Sequence, residues 1–386
     1  MREGSEPEVF LYGAPSSLYT AKVRAFLRAH RIPHEERFPS HPRYRGAVRE
    51  AAESHRIPVV EFPDHTVVQD STLILDELER RYRPAADLAL GPRQQLVSHL
   101  LECVGDRGLT KPAMHFRWNF MAENEAFIVG EFGRALRFPG PAEEIERLGR
   151  RVAAKMSGYL PMLGIEARTV PAIEAAYAET LARLDVLFSE HPYVLGGAPT
   201  RGDFALMGPM YGHLGRDPYP LRLMQTAAPL VFRWIERVNG GEGTGPEFPD
   251  AAAAPLPGDR VPDALQDFLR HVFATYRDEL LASAERLAGW VAEHADAAAG
   301  TLLSPAGVDQ PALGPIVVDY HGVKVQQQAM GHSLWVLQRA LDFTASLDDE
   351  ARRSCEALAD EVGVGALLRL KLARRLTRIG GRLAVA

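Results

Sequence analysis

Two hydroxyls follow a short apolar run near the start of the chain. Tyr12 precedes a Gly13-Ala14-Pro15 turn, and Ser16-Ser17-Leu18-Tyr19-Thr20-Ala21-Lys22-Val23-Arg24 comes directly after it. Leu18, Val23, Phe26 and Leu27 recur at roughly helical spacing, which predicts a helix starting at Ser17. A helix N-terminus presents unpaired N–H groups and partial positive charge. A serine there either caps the helix or aims its hydroxyl at an anion such as a thiolate. Both roles are open to Ser17. Ser16 takes its place if the turn differs by one residue, and Tyr12 is a third donor in reach of the same turn.

Two further stretches carry binding chemistry. In Arg56-Ile57-Pro58-Val59 the proline tolerates a cis bond at small cost. A kink there can leave the Val59 N–H and C=O free to pair with an extended peptide, as an added strand would. In Gln69-Asp70-Ser71, Ser71 opens a helix, so its hydroxyl and the first N–H groups suit a carboxylate. Asp70 beside it suits an ammonium, and a zwitterionic amino-acid end needs that pair of opposite preferences.

The elements that must position these residues alternate. Val9–Tyr12 reads as a strand, Ser17–His30 as a helix ending before Ile32-Pro33, and His34–Phe38 as a strand. Tyr44–Glu53 reads as a polar-leaning helix. Ile57–Phe62 and Thr66–Gln69 flank a Pro63-Asp64-His65 turn, a hairpin signal. Ser71–Tyr82 is helical through Leu73, Ile74, Leu75 and Leu78. The order is β-α-β-α-β-β-α.

This order resembles the thioredoxin-like domain of glutathione transferases, on three motifs in register: Tyr12-x4-Ser17-x4-Lys22-Val23-Arg24, Ile57-Pro58-Val59, and Gln69-Asp70-Ser71 ahead of Ile74-Leu75-x-x-Leu78. Ser17 matches the active-site Ser or Cys of the theta, zeta and omega classes. The resemblance implies an α+β chain. A thioredoxin-like domain would span 7–83, an all-helical glutathione-transferase C-terminal domain 91–239, and a mostly helical extension with a β-hairpin 259–386. It implies glutathione as co-substrate, held by Arg56, Ile57, Pro58, Val59, Asp70 and Ser71, with Ser17 favouring the thiolate. It further implies a small apolar electrophile in a pocket lined by Tyr19, His115, Trp118 and Tyr211, a homodimer, and no metal. Asp70 is one methylene shorter than the Glu or Gln usual there. The aromatic and methionine-rich stretch Met114–Met121 fits either the electrophile pocket or an ordinary helix-helix core.

Beyond the linker 84–92, Ile173, Tyr177, Thr180, Leu181, Leu184 and Phe188 continue the helical pattern. Thr200 and Asp203 form a capping-box variant, and the Ser/Thr-x-x-Asp box of the same family resembles it. A Gly- and Pro-rich linker covers 240–259. Leu265 to Val291 then predicts one long helix. Ile316–Tyr320 and Val323–Gln326 around His321-Gly322 predict a hairpin, and two or three helices follow. Arg369, Lys371, Arg374, Arg375, Arg378 and Arg382 interleave with leucines. That pattern predicts a basic amphipathic last helix, packed on the fold or lying on an anionic membrane.

Composition bounds the function. With 386 residues, 46% of them hydrophobic, the chain can build two or three domains around sizeable cores. A net charge of −6 argues against a general nucleic-acid binder. No apolar run reaches the roughly 18–20 residues of a membrane span, so stable membrane insertion is not expected. The polar N-terminus has no apolar signal core. Two cysteines, Cys103 and Cys355, make no disulfide framework or zinc site and fit a reducing cytoplasm. The reading is attack of a glutathione thiolate on an apolar electrophile by substitution, addition or isomerisation. Its rivals are a non-catalytic thiol-binding or scaffold protein of the same fold, and a transferase using another low-molecular-weight thiol.

Overall fold

A parallel strand pair opens the fold because a helix must cross between its members. β1 (Val9–Tyr12) leads through the turn to α1 (Leu18–Ala29) and back to β2 (His34–Arg37), parallel to β1. A π-helical turn at Tyr44–Val48 runs into the short α2 (Arg49–Ala51). β3 (Val59–Glu61) and β4 (Val67–Gln69) follow as an antiparallel pair, then α3 (Ser71–Tyr82). The sheet order is β2-β1-β3-β4. This computed structural model describes residues 9–82, 90–304 and 312–386. The β-α-β-α-β-β-α order expected from the sequence is the order observed. The helix expected over Tyr44–Glu53 is mostly a wide turn instead, because Gly46 leaves helical backbone (φ −93°, ψ −113°).

Val23, Phe26 and Leu27 of α1 and Ile74, Leu75 and Leu78 of α3 are fully buried in one core with Val9, Leu11 and Val60 of the sheet. Each such side chain contributes about 1.5–3 kcal/mol of burial.

Most of the 84–92 linker lies outside the described residues. A helical stretch then runs through α4 (Pro92–Cys103), α5 (Thr110–Trp118), α6 (Met121–Leu136), α7 (Ala142–Ser157), α8 (Val170–Glu190), α9 (Arg201–Gly212), α10 (Pro218–Ala227) and α11 (Pro229–Gly240). The Thr200 and Asp203 capping box closes reciprocally at the start of α9, with the Thr200 N–H 2.8 Å from Asp203 Oδ2. Asp203 also accepts from the Val194 N–H and from Trp234 Nε1, so one buried carboxylate ties three segments together. α9 lies against α1 at Gly212, where a Cβ would stand 3.0 Å from the Leu18 Cα, so a side chain there would press the two helices apart by a few tenths of an ångström.

The C-terminal part begins with α12 (Asp263–Glu293), continues through the hairpin of β5 (Ala312–Tyr320) and β6 (Val323–Met330), and then α13 (Gly331–Ser346), α14 (Asp349–Glu361) and α15 (Gly365–Leu368). The expected basic last helix does not form. Its residues make a loop and a second hairpin, β7 (Leu376–Ile379) with β8 (Arg382–Val385). The reason is local: Gly380 and Gly381 both take left-handed backbone (φ 53° and 68°), as a two-residue hairpin turn requires and an α-helix forbids. α13 packs on α4, and Arg339 of α13 grips Asp76 of α3 with two hydrogen bonds of 2.8 and 2.7 Å. Among the described residues no helix is long and apolar enough to cross a membrane, and no group of His, Cys, Asp and Glu is arranged to hold a metal ion.

Candidate functional site

A cleft of about 70 Å³ opens where the start of α1, the Ile57–Pro58 bend and the start of α3 meet the C-terminal hairpin. Tyr19, Arg56, Ile57, Pro58, Asp70 and Ser71 line it from the N-terminal unit. Arg107 lines it from the helical stretch, and His332, Arg378 and Arg382 from the C-terminal part. The Ile57–Pro58 peptide is cis. Ile57 precedes the first residue of β3, whereas Val59 is inside the sheet, opposite Tyr12 on one side and Gln69 on the other. The sequence expectation of a free Val59 backbone is therefore corrected. Both edges of β3 are occupied by neighbouring strands, and Ile57 and Pro58 are the residues of this segment that line the cleft.

Asp70 is the most constrained residue of the cleft. Its φ of +89° is unusual for an L residue and costs about 1–3 kcal/mol, so its surroundings must hold it. They do. The Thr72 N–H donates to Oδ1 at 2.9 Å. The Arg378 guanidinium lies 3.0 Å from Oδ2, and His332 Nε2 lies 3.4 Å from the same atom. Burial by itself would raise the Asp70 carboxyl, but the His332 ring and the Arg378 guanidinium outweigh it and hold the group well below the usual carboxylate range. Arg378 is itself fixed by donating to Gln69 Oε1 at 3.0 Å and to the Gly381 carbonyl at 2.8 Å, and it lies over the Trp335 ring. Asp70 meets a protein cation where the sequence suggested a ligand's ammonium.

The candidate sulfur-facing residues separate. Ser17 is the N-cap of α1, its Oγ accepting from the Thr20 N–H at 3.3 Å. It is half-buried and is not among the residues lining the cleft. Ser16 is buried, and its Oγ finds no hydrogen-bond partner within the protein. Tyr12 is buried in a second small core with Tyr44, Val48 and Val59, and its phenol donates to Glu61 Oε2 at 3.0 Å. Tyr19 reaches the cleft, with its phenol donating to the Asp106 carbonyl at 3.2 Å and pushed up by burial.

The expected electrophile pocket is not assembled around this cleft. His115 is buried, with Nε2 3.0 Å from Glu174 and Nδ1 2.8 Å from Asn119. Trp118 is buried and stacks on Phe132 at 6.0 Å between centroids. Tyr211 is partly buried beside Arg216. Among them only Tyr19 lines the cleft. Met114–Met121 is helix-helix core: Phe116, Phe120 and Tyr219 form one aromatic stack.

Several site residues had no clear sequence signal. Arg378, Arg382 and His332 come from the far end of the chain. The Gly380-Gly381 pair, a hairpin-turn signal within the leucine-spaced stretch, is the local clue to the first two. Lys22 reads as a surface residue of an amphipathic helix, yet it is buried 2.8 Å from Glu102 and 3.0 Å from Asp106. Arg117 is buried and bidentate to Asp217 (2.6 and 2.8 Å), and it donates to the Ser16 carbonyl at 2.9 Å. It thereby pins the turn that starts α1.

Comparison with known proteins agrees with this geometry at the N-terminal end. No curated protein matches the sequence. Among solved structures, a glutathione S-transferase from Methylobacterium radiotolerans in complex with glutathione sulfonate is 21% identical, over 66% of this chain and 99% of that one, with a TM-score of 0.36. FzlA from C. crescentus is 18% identical over 68% of this chain and 99% of its own, with a TM-score of 0.37. The β-etherase LigF from Sphingobium sp. strain SYK-6 is 17% identical over 60% and 95%, also at 0.37. Residues 11–86 match the family described as glutathione S-transferase, N-terminal domain. On that match, with the four-stranded sheet and its cis-proline bend in place, residues 11–86 form a domain of the glutathione S-transferase N-terminal type.

Proposed function

We propose that this chain is a glutathione transferase-like enzyme that holds a small thiol in the cleft between its thioredoxin-like unit and the C-terminal hairpin. The observation that carries the reading is the convergence of Arg56, Ile57, Pro58, Asp70 and Ser71 on that one cleft. In the reaction, the thiol loses its proton to solvent and the thiolate sulfur bonds to an electrophilic carbon. The leaving group then departs with its electron pair, or the electrons stay on the substrate in an addition. Ser17 lies outside the cleft lining and spends an acceptor lone pair on capping α1, so its O–H can donate only to a sulfur that extends from the cleft to the start of α1. A donor at a helix N-terminus lowers a thiol's pKa. Tyr19, with its O–H committed to Asp106, supplies wall rather than proton. A homodimer and a cytoplasmic setting belong to this reading, and so does a division of labour among the segments 7–83, 91–239 and 259–386.

Two measurements test it. Calorimetric titration with glutathione should saturate at millimolar ligand or below; a flat titration refutes glutathione as the thiol, and flat titrations with every low-molecular-weight thiol refute the reading. Ser17→Ala should raise the pKa of the bound thiol, followed by thiolate absorbance, while sparing affinity. Identical titrations in both proteins would remove Ser17 from the mechanism.

The pairing of Asp70 with Arg378 and His332 favours a second reading, a binding protein for a thiol other than glutathione. Parallel titrations with several low-molecular-weight thiols separate the two.

A further inference from the structure

The charge of the cleft is lopsided. Arg56, Arg107, Arg378, Arg382 and His332 line it, and Asp70 is the one acidic residue among its described lining. That carboxylate is buried, with both oxygens engaged: Oδ1 by the Thr72 N–H, Oδ2 by Arg378 and His332. A ligand ammonium entering here would have to displace a guanidinium that is 6% exposed and held at three further points, by Gln69, by Gly381 and over the Trp335 ring. An anion is drawn to the positive groups of the lining instead. It meets the N-terminus of α3, a 12-residue helix, and guanidinium groups from three parts of the chain. Arg378 Nε is buried and finds no hydrogen-bond partner within the protein, and the same is true of His332 Nδ1. The Arg378 Nε–H is thus a donor left over, whereas His332 Nδ1 is an acceptor in the tautomer that donates to Asp70 through Nε2.

We propose that the cleft selects a compact thiol acid carrying two or more carboxylates and no free ammonium, with Arg378 occupying the place of the missing amino end. This rests on the thiol-binding reading above and names the class of thiol. Arg378 and Arg382 sit on either side of the Gly380-Gly381 turn, so the C-terminal hairpin acts as the part that sets specificity. The N-terminal unit supplies the sulfur-binding frame.

The test compares glutathione with N-acetylglutathione, which has the same thiol and carboxylates but no ammonium, by calorimetry on the full chain. N-acetylglutathione should bind about tenfold more tightly, since one unpaired cation in a cationic cleft costs roughly one charge-assisted interaction. Arg382→Gln, an exposed position whose loss breaks no buried pair, should weaken N-acetylglutathione by about fivefold to tenfold on the same grounds. Arg378→Gln should abolish the preference between the two. Equal or tighter binding of glutathione by the natural protein overturns the specificity proposal and leaves the thiol site standing. A preference for N-acetylglutathione that survives unchanged in Arg378→Gln also overturns it, since Arg378 would then not occupy the ammonium's place. If neither compound saturates at millimolar concentration, the thiol reading falls, and the proposal with it.

Discussion

Glu102 joins three parts of the chain at one buried carboxylate, and Glu102→Gln tests how much that junction contributes. Glu102 Oε1 lies 2.8 Å from Lys22 Nζ of α1 and 3.1 Å from Arg201 Nε of α9, and it accepts from Thr72 Oγ1 of α3 at 3.2 Å. Its Oε2 lies 3.5 Å from Arg339 Nε of α13. Glu102 is fully buried. Burial would raise its carboxyl, but Arg201, Lys22 and Arg339 outweigh this and hold it well below the usual range. Glutamine keeps the shape, removes the charge and turns an amide donor towards cations. Removing one member of a buried pair costs about 3–5 kcal/mol. The low end applies, because each cation keeps a second carboxylate. Lys22 retains Asp106 at 3.0 Å, and Arg201 and Arg339 both retain Asp76 at 2.7 Å. A loss of about 3 kcal/mol lowers a urea midpoint by about 1 M for a slope of about 3 kcal/mol/M. The readout is urea unfolding by tryptophan fluorescence and far-ultraviolet circular dichroism. Arg80→Ala serves as the control: its pair with Glu77 is exposed and screened by solvent, so its loss should barely move the midpoint. The sign with pH is also fixed. The depressed Glu102 carboxyl adds stability that is present above its unfolded value of 4.5 and lost as pH falls through the folded one, and the glutamine variant lacks that slope. A midpoint shift no larger than the control's would refute the junction.

Arg117→Met should cost about 3–5 kcal/mol by urea unfolding, since Asp217 is left buried without its bidentate partner and the Ser16 carbonyl loses its donor. His99 of α4 packs its ring against Phe343 of α13, and burial lowers it from 6.5 to about 4. Its contribution is therefore complete above pH 6.5 and fades as pH falls towards 4. That is a loss of up to about 3 kcal/mol, which His99→Phe should remove from the pH profile of stability. Gly381→Val forces a β-branched residue into left-handed backbone (φ 68°). It should destabilise the β7–β8 hairpin by about 1–2 kcal/mol, read as faster hydrogen exchange at Ile379 and Arg382. The homodimer of the proposed function should give twice the mass of one chain by light scattering, and a single-chain mass refutes it.

What the sequence determined was local. Apolar spacing located the strands and helices of residues 9–82, because side-chain burial repeats with the backbone period. Turn chemistry located the Ile57–Pro58 bend, the Thr200–Asp203 cap and the His321-Gly322 hairpin, since each depends on a few adjacent residues. The C-terminal hairpin is equally legible in Gly380-Gly381, whose left-handed turn overrides the helical spacing of the leucines around it. Tertiary structure alone decided the partners of the charged groups. Arg378 reaches Asp70 across more than 300 positions of sequence, Lys22 reaches Glu102 across 80, and Arg117 reaches Asp217 across 100. A charge carries no periodicity that names its partner. Only the packing of the helices around α1 and α3 determines which cation is buried beside which carboxylate, and hence that Asp70 faces a guanidinium rather than open cleft.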